Sequence, residues 1–170
     1  NVATQSPDAT QIQRLALELG RIIGATVGFL GEGANTVGGY LSGLLQGGAN
    51  ARSMFETPRK GYVLLGVEPE LDCANPQAAQ AALDKAAFVV SLSPFKSDAA
   101  LQYADAILPV SPYTETAGTF INTEGRVQSF NGVVKPRGET RPAWKLLRVL
   151  GNVLNLPGFE YQSSEEVRNE

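Results

Sequence analysis

The chain has 170 residues, 43% of them hydrophobic and 18% charged, with a net charge of -3 and a pI near 5.1. That length supports a core without disulfide or metal staples, and the acidic balance excludes a surface whose affinity comes from neutralising nucleic-acid phosphates. With no histidine and one cysteine, Cys73, the sequence cannot assemble a Cys/His zinc site, a four-thiolate iron-sulfur site or a Ser-His-Asp triad. Cys73 reads as small structural filler. No apolar run approaches the roughly 18 to 20 residues that cross a bilayer, so no direct membrane insertion is expected.

In chain order, Ser6-Pro7-Asp8 offers a helix cap with proline at the first helical position. Ile12, Leu15, Ala16, Leu19, Ile22 and Ile23 then recur at helical spacing until Gly24 stops the helix. The apolar run Ala25–Leu30 has strand length and is expected to be the first strand. Asn35 to Leu45 reads as a helix with Val37, Leu41, Leu44 and Leu45 on one face, and residues 46–60, rich in Gly, Arg and Pro, read as a long connection. Gly61–Val67 is the second strand, and a helix starting at Asn75-Pro76 runs through Ala78, Ala81, Ala82 and Leu83. Ala87–Leu92 is the third strand, Ser97-Asp98 caps a short helix to Tyr103, and Ala106–Val110 is the fourth strand. Strands that are apolar throughout, alternating with helices, predict an α/β, Rossmann-like, mostly parallel sheet of about four strands with both faces covered.

Beyond that sheet, Thr119, Ile121 and Thr123 alternate with Phe120 and Asn122, Glu124-Gly125 allows a reversal, and Arg126 to Phe130 resumes a strand. A β-hairpin is predicted, with Gly125 at positive φ. A last helix is expected from Pro142 to about Leu154, with Trp144, Leu147, Leu150 and Leu154 inward, ending before Pro157-Gly158. Ser163 and Glu166 form a further helix-start signal. The reading is one α/β domain over 1–170, excised from a longer polypeptide, with 1–9 and 158–170 peripheral.

Turn physics needs only the glycine of the hairpin, yet Glu115, Asn122, Glu124, Arg126 and Gln128 accompany it. Together with Gly118 and Thr119 they fit the pattern E-x-x-G-T-x-x-N-x-E-G-R-x-Q, which resembles the signature that follows an α/β domain in the molybdopterin oxidoreductase superfamily. The flanks, Ala104-Asp105-Ala106-Ile107-Leu108-Pro109 and Pro136-Arg137-Gly138-Glu139-Thr140-Arg141-Pro142-Ala143-Trp144, look like the large iron-sulfur subunits of NADH-quinone oxidoreductases, the respiratory complex I. That resemblance implies an electron-transfer subunit whose iron-sulfur clusters lie in its N-terminal part. This later region would hold no cofactor or metal and have no catalytic residue. It would pack against the rest of its own polypeptide and other subunits of the hydrophilic arm, on the cytoplasmic side of a bacterial inner membrane or the mitochondrial matrix side.

The implied role of Glu115, Asn122, Glu124, Gly125 and Arg126 is to anchor the hairpin, with the planar fork of Arg126 as the preferred anchor. Two cofactor-binding candidates stand beside that reading. Gly31 and Gly33 follow the Ala25–Leu30 run, where glycine turns let N–H groups approach a phosphate, but Thr36 stands where a dinucleotide fingerprint has its third glycine, and Glu32 sets a negative charge there. Ser93 and Lys96 occupy the region that, in cofactor-bearing relatives, can contact the nucleotide end of a pterin. The enzymatic alternative is therefore a piece of an active molybdopterin oxidoreductase, such as a formate dehydrogenase or nitrate reductase relative. A free nucleotide-binding module is a third reading.

Overall fold

The structure is a computed structural model that describes residues 6, 8–44 and 48–170. The described residues form two compact units: one takes in residues up to Leu44 together with Phe120–Gln128, the other residues 48–119 and Ser129–Glu170.

In the first unit, helix α1 (Ala9–Ile23) begins after Asp8, whose N–H donates to Ser6 Oγ (3.2 Å); Pro7 lies outside the described residues. Its end follows from Gly24 at φ 67°, where a side chain would be strained, with the N–H groups of Gly24 and Ala25 both returning to the Gly20 carbonyl. Helix α2 (Thr36–Leu41) is shorter than predicted, and Leu45 lies outside the described residues. The run Ala25–Leu30 is a correction: it forms no regular element and joins no sheet among the described residues. A short, mostly apolar run favours extended backbone, but a strand also needs a partner edge for its N–H and C=O groups.

The second unit opens with helix α3 (Ala51–Glu56), which lies inside the stretch read as a connection. Asn50 is its signal, since its Oδ1 accepts from Ser53 N–H at 2.9 Å. Strand β1 (Gly61–Leu65) follows, then α4 (Pro69–Asp72), α5 (Pro76–Leu83), β2 (Phe88–Ser93), α6 (Ala100–Tyr103) and β3 (Ala106–Pro109). Asparagine and proline fix the start of α5: Asn75 Oδ1 accepts from Ala78 N–H at 3.0 Å, and Pro76 occupies the first turn. Ser97 Oγ accepts from Ala100 N–H (3.0 Å) at the start of α6.

The three strands form one parallel sheet in the order β1-β2-β3, pairing Tyr62 with Val89, Leu64 with Ser91 and Leu92 with Leu108. The predicted class, α/β with a parallel sheet, a hairpin and a C-terminal helix, is therefore what folds. Its sheet has three strands, extended beyond β3 by a single parallel bridge between Val110 and Arg141. The core lies on one face, where Tyr62, Leu64 and Val89 meet Ala82 and Leu83 of α5 and Ala100 and Tyr103 of α6. The hydroxyl of Tyr62 donates to the Met54 carbonyl (2.9 Å) and accepts from Arg59 N–H (3.0 Å), so this buried polar group is satisfied while it ties α3 to β1. Across β2 and β3, Asp105 makes a double link to one residue: its Oδ2 accepts from Val89 N–H (2.7 Å) and its own N–H donates to the Val89 carbonyl (2.9 Å).

The hairpin is β4 (Gly118–Ile121) and β5 (Val127–Phe130). Helix α7 (Ala143–Val153) follows Pro142, and Gly151 packs closely on the Phe159 ring, room that a side chain would remove. Of the positions expected inward, Trp144 and Leu147 are half-buried, but Leu150 and Leu154 are 40% and 58% exposed. The last helix, α8 (Ser164–Arg168), is capped as its sequence predicts, with Ser163 Oγ accepting from Glu166 N–H (3.2 Å) and Glu166 Oε2 accepting from Gln162 N–H (2.6 Å). No helix among the described residues is long and apolar enough to cross a membrane.

Candidate functional site

The hairpin tip is closed by Asn122. Its Oδ1 accepts from the N–H groups of Glu124 (3.1 Å) and Arg126 (2.9 Å), its carbonyl accepts from Gly125 N–H (2.9 Å), and its N–H donates to the Arg126 carbonyl (3.1 Å). An asparagine side chain that takes two turn N–H groups replaces a longer stretch of ladder. Gly125 sits at φ 81°, the left-handed conformation expected of it. The side chains of Glu124 and Arg126 make no hydrogen bond or ion pair among the described residues. Sequence reasoning missed a further contact, in which Asn35 Oδ1 accepts from Ile121 N–H at 2.8 Å across 86 positions. Asn35 is also the residue from which α2 starts.

Glu115, in the second unit, holds the base of the hairpin. Its Oε2 accepts from Arg137 N–H (3.0 Å), while the Thr114 carbonyl accepts from Val133 N–H (2.7 Å). Gly132 lies so close to the backbone of Glu115 that a Cβ there would stand 2.9 Å from the Glu115 carbonyl carbon. Beside it, the hydroxyls of Thr119 and Ser129 bond across the strands at 2.9 Å, and Arg168 Nη1 of α8 donates to Ser129 Oγ (3.3 Å).

The glycine turn is arranged around Thr36. Gly33 N–H donates to Thr36 Oγ1 (3.1 Å), and that hydroxyl donates back to the Gly33 carbonyl (2.9 Å). Gly31 is small because the Thr36 side chain occupies the space a Cβ would take. A phosphate cradle needs free N–H groups converging on one point, and here the N–H of Gly33 is committed to a side chain of its own turn. The Gly33 N–H is therefore not available to a phosphate in this turn.

In open α/β sheets, ligands bind beyond the carboxyl ends of the strands. After β1 come Glu68, Glu70 and Asp72, β2 ends at Ser93 with Lys96 beyond it, and after β3 comes Ser111. Ser93 is buried and its Oγ accepts from Phe95 N–H (3.0 Å), whereas Lys96 is exposed. Tyr103 donates to Glu70 Oε2 (3.4 Å), and its phenol is pushed up to about 12 by burial, then by the Glu70 charge and this bond, and by Glu68. Burial, then Asp72 and Glu70, push the Cys73 thiol up as well. Both groups are therefore neutral near pH 7, and Cys73 lacks the electropositive surroundings of a reactive thiol. The carboxylates beside them disfavour an anionic ligand. Among the described residues no group of three or more His, Cys, Asp and Glu could hold a metal ion.

The protein is similar to several known ones. Over 107 residues, 63% of this chain and 11% of the relative, it is 36% identical to a Staphylococcus aureus (strain MRSA252) protein assigned as a formate dehydrogenase. Over 73 residues, 43% of this chain and 10% of the relative, it is 45% identical to the 78 kDa subunit of mitochondrial NADH-ubiquinone oxidoreductase from Candida albicans (strain SC5314 / ATCC MYA-2876). It therefore spans about a tenth of the length of these relatives. Among solved structures, acetylene hydratase from Pelobacter acetylenicus superposes with a TM-score of 0.57 at 26% identity, covering 66% of this chain and 16% of that one. The family model described as molybdopterin oxidoreductase matches residues 3–153. With most of its length inside that match, and with the hairpin signature folded as a hairpin, the chain belongs to the molybdopterin oxidoreductase family.

Proposed function

We propose that this protein is a structural region of the large iron-sulfur subunit of an NADH-quinone oxidoreductase. In this reading it performs no catalysis itself and braces the part of the subunit that carries the iron-sulfur clusters. The glycine turn carries the proposal: the Gly33 N–H and the Thr36 hydroxyl bond to each other's residues, so the turn is built for its own closure. The 45% identity to the Candida albicans subunit points to the respiratory branch of the family. The proposed partners are the remainder of the same polypeptide and neighbouring subunits of the hydrophilic arm, on the cytoplasmic or matrix side of the membrane.

Calorimetric titration of the purified protein with molybdopterin guanine dinucleotide, and separately with NADH, tests this. No saturable heat is expected from either. Saturable binding of the pterin dinucleotide would replace the proposal with its alternative, a piece of an active molybdopterin enzyme. That second reading draws on the longer 107-residue similarity to the Staphylococcus aureus protein.

A further inference from the structure

Charge is distributed unevenly along this acidic chain. Residues 135–148 carry five of its 14 Lys and Arg (Lys135, Arg137, Arg141, Lys145 and Arg148) and one of its 17 Asp and Glu, Glu139. Lys135, Arg137, Arg141 and Lys145 are exposed, and none joins an ion pair among the described residues. Glu115 could have neutralised Arg137, but its carboxylate takes the backbone N–H of that residue, and the guanidinium stays available. Apolar side chains share the loop: Val133 is 83% exposed and Val134 57%.

The backbone beneath these side chains is fixed. Val133 N–H donates to the Thr114 carbonyl, Arg137 N–H to Glu115, Thr140 N–H to the Arg137 carbonyl (3.2 Å), and Ser111 N–H to the Arg141 carbonyl (2.9 Å) beyond the end of β3. A solvated charge run needs no such framework, whereas a fixed loop presenting unpaired cations beside exposed valines loses little entropy on binding. We infer that the segment from Val133 to Lys145, the loop and the first turn of α7, is a docking surface for an acidic protein segment that also carries aliphatic side chains. Exposed valines favour a protein over a polyphosphate, and the negative charge of the rest of the chain repels an extended polyanion while leaving a short acidic segment free to bind locally. This inference goes beyond the proposed function, because it applies equally to a respiratory subunit and to a molybdopterin enzyme.

Trp144 is the only tryptophan in the chain, and the Lys145 ammonium lies 5.5 Å from its ring. Its fluorescence can therefore report on this surface. Titration of the 170-residue protein with a Glu-rich peptide carrying leucines is expected to give a saturable change. The affinity should fall at least about tenfold when Arg137→Glu and Arg141→Glu are combined, and again between roughly 50 and 200 mM salt. Circular dichroism establishes that the variant is folded; if it is not, Arg137→Gln with Arg141→Gln serves, with a smaller drop expected. An absent response, or equal affinity in a folded variant, overturns the inference. So does binding of phosphatidylserine vesicles or duplex DNA in place of the peptide.

Discussion

In the parallel sheet, the ladder is shielded by side chains such as Tyr62, Val89 and Leu92, which are 6%, 1% and 2% exposed, whereas in the hairpin Val127 is 61% exposed and polar side chains close the turn. Both are β-structure, but the sheet rests on apolar surface removed from water and the hairpin on Asn122, Glu115 and Thr119 bonding to backbone or across strands. The difference explains why a family signature lies in the hairpin. Many apolar residues can fill a core position of suitable volume, but few side chains can accept two N–H groups from one turn as Asn122 does.

Four changes probe that contrast, in order of expected effect. Leu92→Ala, at the largest fully buried side chain, should cost ~2–5 kcal/mol in urea unfolding; a loss below ~1 kcal/mol would mean that the sheet is not the stable centre of its unit. In the hairpin, Gly125→Val places a β-branched residue at φ 81° and should cost ~1–3 kcal/mol, and Asn122→Ala ~1 kcal/mol. If Asn122→Ala proved more damaging than Leu92→Ala, the contrast between apolar and polar support would be reversed. The smallest effect concerns Tyr103. Its folded-state pKa is raised from 10.0 to about 12, so the neutral form is the one the fold favours. Its contribution to stability is complete below about 10 and is lost as pH rises towards about 12. A melting series over that range should show a shallower alkaline decline in Tyr103→Phe than in the parent protein.

Legibility in the sequence follows the range of the interactions. The parallel strands are readable because Tyr62–Leu65 and Ile107–Leu108 are apolar throughout and Val89–Leu92 is apolar but for Ser91, and the reversal is readable because Gly125 supplies what a tight turn requires. Two local readings fail for different reasons. Helix α3 is hidden among Gly, Arg and Pro, although Asn50 and Ser53 form a cap with Met54 and Phe55 packing behind it. Ala25–Leu30 has the composition of a strand, and composition does not specify a partner edge. The sites are harder still. Nothing local to Asn35 indicates that its amide oxygen receives Ile121 N–H from 86 positions away. Thr36 stands out in the sequence as a departure from a glycine fingerprint, while its positive role in closing the turn emerges only from geometry.

The link between Asp105 and Val89 has a further consequence, concerning alignment errors. Parallel strands of similar apolar residues can slide by one position at little local cost, and a slide turns every side chain to the opposite face. Because Asp105 holds both the N–H and the carbonyl of Val89, a shift of one residue would break both bonds together and strip a carboxylate of its partner. The aspartate in Ala104-Asp105-Ala106 thus serves as an alignment mark: it makes the misaligned sheet unfavourable before the core has packed, and does so at the strand entry, far from any carboxyl-end crevice.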